Sequence, residues 1–160
     1  MRGLAQNTKG LASNPLAGPF SCYRIGRRTS INPVTSGCLC GKVRLTATGE
    51  PRRVALCHCL DCRKHHGALF YAAAIFPEDA VSIEGDTSQY RNRHFCPACG
   101  SSVFARWADE VEVHLGALDA PDQFTPTYES WTIRRESWLP PFPLEYHFER
   151  NREVEESAHD

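Results

Sequence analysis

The first 49 residues of this 160-residue chain contain no aspartate or glutamate, and the whole chain contains a single methionine. Those 49 residues carry seven Lys or Arg, whereas residues 50–160 carry eleven Lys or Arg against nineteen Asp or Glu, so a basic beginning precedes an acidic body. Nucleic-acid binding depends on clustered positive charge. We therefore expect no nucleic-acid partner.

Long apolar runs are also missing. The longest covers residues 68–76, far short of the ~18 residues that a membrane-spanning helix needs, and no apolar secretory signal is visible. We predict a soluble, cytoplasmic protein without a membrane partner. The basic segment 1–36 leaves a mitochondrial transit peptide as the alternative, but it is rich in Asn, Pro and Gly and lacks an amphipathic repeat. We interpret it as a disordered extension.

Short alternating segments separated by Gly, Pro and Asp predict β-strands through most of the chain. Apolar and polar residues alternate in 43–47 and 111–115, and the apolar run 68–76 has the length of a buried strand. The expected fold class is all-β, with sandwich-like antiparallel sheets and long loops. We place the domain at 37–148 and predict that residues 149–160 form a flexible acidic tail.

Eight cysteines need an explanation, and seven of them fall into three clusters. The clusters are Cys38 with Cys40, then Cys57, Cys59 and Cys62, then Cys96 with Cys99, whereas Cys22 stands alone in the extension. Disulfides are the simplest alternative, but cysteines two positions apart bridge poorly to one another and nothing indicates export. The spacing favours metal ligands, and we treat the lone cysteine as a bystander.

The motif CPACG at 96–100 is the strongest isolated signal. Two cysteines three positions apart around a tight turn aim both sulfurs at one ion, and the final glycine can adopt the positive φ that such a turn requires. A second pair is available in GCLCG, where an extended segment would project Cys38 and Cys40 to the same face. Cys59 and Cys62 are the alternative partners, and spacing does not decide between the two pairs.

The order of the motifs resembles the glutathione-dependent formaldehyde-activating family, which includes the centromere protein V-like domains. The resemblance rests on GCLCGKVR, CHCLDCRKHHGALF, FCPACGSSVF and GALDAPDQFTP, and it runs from about Gly37 to Pro143. It implies a zinc-containing β-tent fold with two zinc ions per chain. Cys38, Cys40, Cys96 and Cys99 would hold a structural zinc, and Cys57, Cys59 and Cys62 would hold a second zinc at the functional site.

The activity after which that family is named is the formation of S-(hydroxymethyl)glutathione from formaldehyde and glutathione, which is classed with carbon–sulfur lyases. The aromatic, Arg-rich stretch YESWTIRRESWLPPFP departs from the founding members. The fold and the metal ligands therefore carry over more safely than the substrate.

Three thiolates leave one position of a tetrahedral zinc ion free, which is typical of reactive sites. The negative charge of three thiolates makes the zinc ion lower the pKa of a bound water less than it would with neutral ligands. A hydrolase, which needs a zinc-bound hydroxide, is therefore the less natural interpretation. The leading hypothesis is a zinc-dependent carbon–sulfur lyase-type enzyme that adds a thiol, with glutathione as the expected co-substrate, to a small aldehyde such as formaldehyde. The alternative is a non-catalytic zinc module that binds a thiol ligand or a protein partner.

Four basic residues follow the three-cysteine motif. We assign Arg63 and Lys64 to the carboxylates of a glutathione-like ligand or to the excess negative charge of the thiolates, with an exposed pair of no assigned role as the alternative. His65 and His66 are candidates to protonate the alkoxide formed on addition, because their unperturbed pKa lies near neutrality. The predicted catalytic set is therefore Cys57, Cys59, Cys62, His65 and His66. His66 as a fourth zinc ligand is the alternative, and it would close the site.

Other conspicuous side chains have ordinary explanations. His114, in an alternating strand, is expected to face solvent or to be a strand histidine whose hydrogen bonds are satisfied. His94 is expected to lie beside the CPACG motif, behind its ligands, or on the surface. Trp107, Trp131 and Trp138 are expected in the core rather than in a ligand groove.

Overall fold

The computed structural model describes residues 32–152, and its strands form two sheets. The strands are β1 (Val34–Gly37), β2 (Arg44–Ala47), β3 (Arg53–Cys57), β4 (Tyr71–Pro77), β5 (Val81–Glu84), β6 (Ser88–Tyr90), β7 (Arg93–Phe95), β8 (Ser102–Trp107), β9 (Glu110–His114), β10 (Tyr128–Ser130) and β11 (Tyr146–His147). One α-helix, α1 (Leu60–His66), and three 3₁₀ turns, Glu78–Ala80, Leu115–Ala117 and Thr132–Arg134, complete the described elements. The predicted all-β fold is confirmed.

The smaller sheet has the order β1-β2-β5, and the larger has the order β11-β10-β3-β4-β9-β8-β7-β6. All pairings are antiparallel except those of β10 with β3 and with β11, which are parallel. The sequence led us to expect antiparallel sheets throughout. The chain instead crosses over from β9 to β10 by a long connection, and this allows a parallel strand to join the sheet.

The core lies between the two sheets. Leu45 in β2 and Phe76 in β4 belong to one buried cluster with Val111 and Val113 of β9. Successive side chains of a strand point to opposite faces. The residues that alternate with the core positions of β3, β4 and β9, among them Cys57, Tyr71 and Glu112, therefore lie on the other face of the larger sheet, where they line a cavity.

The chain after β3 differs from expectation. The all-β expectation with long loops included no helix, but helix α1 begins directly after Cys59. The Cys59 Sγ accepts a hydrogen bond from the Cys62 backbone N–H at 3.4 Å. Gly67 ends the helix with φ of 59°. The Cys59 thiol occupies the N-cap position, where serine or aspartate is usual. The sequence signals for a helix start, which look for those residues, therefore do not predict α1.

The body of the molecule includes residues on either side of the segment that we predicted as the domain. Strand β1 begins at Val34 and pairs with β2, and near the other end the Arg150 carbonyl accepts a hydrogen bond from the Trp131 N–H at 3.0 Å. Cys22 lies outside the described residues. Among residues 32–152, no helix has the length and apolar character needed to cross a bilayer.

Candidate metal centres and the adjoining cavity

The first cluster joins two distant parts of the chain. The Sγ atoms of Cys38, Cys40, Cys96 and Cys99 all lie within 4.8 Å of one another. The sulfur of Cys40 is 3.5 Å from that of Cys38 and 3.7 Å from that of Cys96. Four sulfurs around a tetrahedral zinc at the usual Zn–S distance are separated by about 3.8 Å, so this donor set fits zinc.

Two turns present these thiols. Gly100 has φ of 76°, as the sequence predicted, and its N–H donates to the Cys96 carbonyl at 2.8 Å. The other pair lies in a turn and not in the extended segment that we expected, since the Gly41 N–H donates to the Cys38 carbonyl at 3.0 Å. The Val43 N–H also donates to the Cys38 sulfur at 3.2 Å, a contact that favours the thiolate form.

The second cluster lies where β3 runs into α1. The sulfurs of Cys57, Cys59 and Cys62 lie within 4.8 Å of one another. Among the described residues all seven cysteines are free thiols, so disulfides do not explain either cluster. A hydrogen bond from the Cys62 thiol and another from the Cys59 N–H outweigh burial and lower the pKa of Cys57 to about 5. Three sulfurs of which one readily ionises are a suitable donor set for zinc.

A cavity of about 300 Å³ borders this three-cysteine cluster. Its wall includes Cys57 and Cys62 together with Tyr71 and Glu112. The volume is at the lower end of the range for pockets that bind small molecules. A ligand that fills this cavity would therefore border Cys57 and Cys62.

Tyr71 and Glu112 form a hydrogen-bonded pair in the cavity wall, with 2.6 Å between the Tyr71 hydroxyl and the carboxylate Oε2. Burial and the Glu112 charge hold the pKa of Tyr71 well above its usual value. Burial also raises the pKa of Glu112, although the tyrosine hydrogen bond opposes that shift. Both groups therefore retain their protons more strongly than exposed side chains do.

Three arginines give the cavity its positive charge: Arg53, Arg93 and Arg152. Arg53 is already paired with Glu110, with 2.5 Å between Nη2 and Oε2. Within residues 32–152, no carboxylate forms an ion pair with Arg93 or Arg152. Their guanidinium groups lie over the rings of Trp107 and Tyr128, at 5.6 Å and 6.0 Å from the ring centroids. These two cations are therefore available to an anionic ligand.

Arg63 and Lys64, which we assigned to ligand binding, are placed elsewhere. Both line a separate open groove beside α1 and not the cavity at Cys57. Arg63 pairs with Glu136, and its Nη1 donates to the Arg134 carbonyl at 2.7 Å. Lys64 is exposed. The helix turns these two side chains away from the cavity, because residues one and two positions after Cys62 point to other sides of α1.

The two predicted catalytic histidines belong to a cluster with His114. His65 Nε2 is 2.8 Å from the Ser102 hydroxyl, which is 3.2 Å from His114 Nδ1. The His66 ring stacks on Tyr71 at 4.7 Å between centroids and lies edge-on to His114 at the same separation. His66 is in neither thiol cluster, and neither His65 nor His66 lines the cavity. His114 is buried, so of its two expected roles the structure shows the satisfied strand histidine.

The position of His66 makes stability sensitive to acid. Burial, with smaller contributions from the charges of His65 and Arg93, lowers the pKa of His66 from 6.5 to about 4. The unfolded chain takes up the proton near pH 6.5, whereas the folded chain resists it, so stability should fall as the pH decreases from about 6.5 towards 4. Because the ring is only partly buried, solvent screening keeps the loss below the value of about 1.4 kcal/mol for each unit of pKa difference that complete burial would give.

Urea unfolding at pH 7.5 and pH 5, on the wild type and on His66→Gln, measures this loss. The wild type should lose more stability between the two pH values than the variant does. Metal loss in acid affects both proteins, so the difference between them isolates the histidine. Equal losses would show that His66 does not carry the effect.

Sequence reasoning missed one buried pair and misplaced two aromatics. His58 and Glu129 are both fully buried, and His58 Nε2 is 2.8 Å from the Glu129 carboxylate. No sequence pattern relates them, since 71 residues separate them. Trp107 and Trp138 are 40% and 68% exposed, so our assignment of both to the core was wrong. Trp107 lines the cavity instead.

The two clusters and the sheets define the class: a small β domain built around thiol clusters of the kind that hold zinc. A family model described as glutathione-dependent formaldehyde-activating enzyme matches residues 33–134. The chain therefore belongs to that family, and the resemblance found in the sequence motifs is confirmed.

Curated relatives carry matching names. A protein of Pyrenophora teres f. teres, named provisionally as a glutathione-dependent formaldehyde-activating enzyme, is 32% identical over 43% of this chain and 40% of its own length. A Fusarium vanettenii protein with the same name is 29% identical over 43% of this chain and 41% of its own length. The chain thus matches about two fifths of the length of these relatives.

Proposed function

We propose that this protein is a zinc-dependent enzyme of the carbon–sulfur lyase type, which adds glutathione or a similar thiol to a small aldehyde such as formaldehyde. The observation that carries the proposal is the contact between the three-cysteine cluster and an arginine-lined cavity. Membership of the glutathione-dependent formaldehyde-activating family supports it. We also propose one zinc ion for each thiol cluster, with the four-cysteine ion structural.

The chemistry divides between the ion and the chain. A zinc ion held by Cys57, Cys59 and Cys62 would keep an incoming thiol deprotonated at neutral pH. The cavity orients that thiol, with Arg93 and Arg152 placed to pair with its carboxylates. The thiol sulfur then forms a bond to the aldehyde carbon, the carbonyl π bond breaks, and the oxygen takes up the proton that the thiol released.

Residues of the cavity wall are placed to hydrogen-bond to the aldehyde oxygen in this reaction. Tyr71 and Glu112 line the cavity, whereas the histidines that we expected in this role do not. A hydroxyl directed at an oxygen that is gaining negative charge lowers the barrier by electrostatic stabilisation. In the structure the Tyr71 hydroxyl donates to Glu112 at 2.6 Å. We therefore propose that Glu112, in the protonated form that its raised pKa favours, donates to the Tyr71 oxygen and leaves the tyrosine hydrogen to contact the substrate oxygen.

The test compares adduct formation by zinc-loaded wild-type protein and Cys59→Ser. Serine is a good N-cap residue, so this variant keeps the start of α1 while removing one thiolate. Exchange NMR on glutathione and formaldehyde measures the rate of S-(hydroxymethyl)glutathione formation above the uncatalysed background. We expect Cys59→Ser to fall to that background and Cys22→Ser to match the wild type. An unchanged rate in Cys59→Ser would instead indicate a non-catalytic zinc module.

The unpaired arginines predict selectivity for charged thiols. Replacing both Arg93 and Arg152 by Gln should raise KM for glutathione roughly tenfold or more, because each charge-assisted hydrogen bond contributes about 1.5–3 kcal/mol. KM for the uncharged 2-mercaptoethanol should change little. Arg91→Gln and Arg150→Gln are matched controls, since these neighbouring arginines do not line the cavity. A parallel rise in KM for both thiols would contradict carboxylate recognition.

A further inference from the structure

A buried carboxylate connects the three-cysteine cluster to the end of the described chain. Glu129, in β10, has no exposed surface. An ionised carboxylate in such a place needs hydrogen-bonded partners. It has three: His58 Nε2 at 2.8 Å from Oε2, and Arg135 Nη1 at 2.5 Å and His147 Nδ1 at 2.6 Å from Oε1.

The two carboxylate oxygens have different tasks. Arg135 supplies Oε1 with a positive charge that offsets the carboxylate, and His147 contacts the same oxygen, whereas Oε2 contacts His58. The other ring nitrogen of His58, Nδ1, is buried without a hydrogen-bond partner within residues 32–152. In this part of the chain the contact with Glu129 is thus the hydrogen bond that orients the ring.

The hydrogen bond between His58 and Glu129 matters because His58 is next to two of the clustered cysteines. His58 lies between Cys57 and Cys59 in the sequence, but it does not belong to the group of candidate metal ligands that they form with Cys62. The backbone N–H of His58 donates to the Ser130 carbonyl at 3.0 Å, and the His58 ring contacts the Glu129 carboxylate. Strand β10 therefore holds both the backbone and the ring of His58. A rotation of the backbone at His58 would move the two flanking sulfurs.

We infer that Glu129 is a positioning residue for the three-cysteine cluster, acting through His58 to hold Cys57 and Cys59 in the geometry that binds metal. The inference rests on the proposed function, because it concerns the zinc ion proposed there. Arg135 and His147 lie beyond the residues matched by the family model, which ends at 134. Two of the three partners of Glu129 therefore come from the segment that follows the family match.

The test measures zinc release from each site separately. Zinc-loaded protein is mixed with a chromogenic chelator, and the phase that Cys59→Ser removes is assigned to the three-cysteine site. Loss of a group that orients a metal site typically lowers metal affinity 10–100-fold. We expect Glu129→Gln to accelerate that phase about tenfold or more. The remaining phase, from the four-cysteine site, should not change and serves as an internal control.

Two further variants sharpen the result. His58→Gln removes the same contact from the other side and should give a similar acceleration, so the inference remains testable if Glu129→Gln does not fold. The double variant should release zinc no faster than the faster single variant, since both act through one contact. His147→Gln removes a hydrogen bond to the same carboxylate but spares His58, and its release should stay within about threefold of the wild type, well below the tenfold change typical of a lost orienting group.

The outcomes separate the two proposals. Absence of zinc from the three-cysteine site in the wild type would overturn the proposed function. Zinc at that site with release unchanged in both Glu129→Gln and His58→Gln would overturn the positioning role alone. Equal acceleration of both release phases would also overturn it, because that result indicates general loosening of the fold.

Discussion

Cys99→Ser should leave the domain unfolded, whereas Cys59→Ser should leave both sheets intact. The four-cysteine cluster joins the turn after β1 to the turn before β8, so an ion held there connects parts of the chain about 60 residues apart. Structural zinc contributes about 10–16 kcal/mol in small domains, which is comparable with the whole stability of about 5–15 kcal/mol.

Circular dichroism and zinc content per chain measure the difference between the two variants. Cys99→Ser is expected to lose β-sheet signal together with its zinc. Cys59→Ser is expected to lose no more than one zinc and to melt cooperatively, because its cluster lies within a stretch of six residues and closes no long loop. Equal collapse of both variants would mean that the two clusters do not divide into structural and functional sites.

Among the glycines of residues 32–152, Gly85 should tolerate substitution by alanine least. A Cβ at this position would lie 1.9 Å from the Lys42 carbonyl oxygen and 3.2 Å from the Val43 Cα, and the backbone φ is +90°. Because both obstacles are backbone atoms, the segment that enters β2 must move, and with it the Val43 N–H that donates to the Cys38 sulfur at 3.2 Å. We expect a loss on the order of 4 kcal/mol, measured by urea unfolding, and weaker zinc retention.

Gly49→Ala is the matched control for this steric effect. Gly49 also has a positive φ, +75°, but its Cβ would meet nothing within 4 Å. Only the left-handed backbone is then unfavourable, which costs about 1–2 kcal/mol. Similar losses in the two variants would show that the close approach to Lys42 is relieved easily.

Much of the architecture was predictable from local pattern. The alternation in 111–115 corresponds to β9, and the apolar run at 68–76 contains most of β4. Periodicity failed at α1, because a seven-residue helix is too short to show a helical repeat and its N-cap is a thiol. It also could not reveal that β10 joins β3 in parallel, since that pairing connects residues more than 70 positions apart.

In the candidate site, too, local features were predictable from the sequence and long-range contacts were not. The residue types and their spacing drew attention to all seven clustered cysteines, but two pairings of the CPACG motif remained open until the structure brought it to Cys38 and Cys40. The expected ligand-binding residues Arg63 and Lys64 followed the motif in sequence, yet the cavity is lined by Arg93 and Arg152 from distant strands and loops. Nearness in sequence was a poor guide to nearness at the site.

The sequence by itself determined the chemistry of the clusters and the all-β class, because cysteine spacing and the two-residue period of strands are local properties. Only the tertiary structure decided which thiols meet, which charges face the cavity, and that Glu129 holds His58. These are contacts between residues far apart in the chain. They depend on strand register and sheet order, which arise from the packing of the whole core.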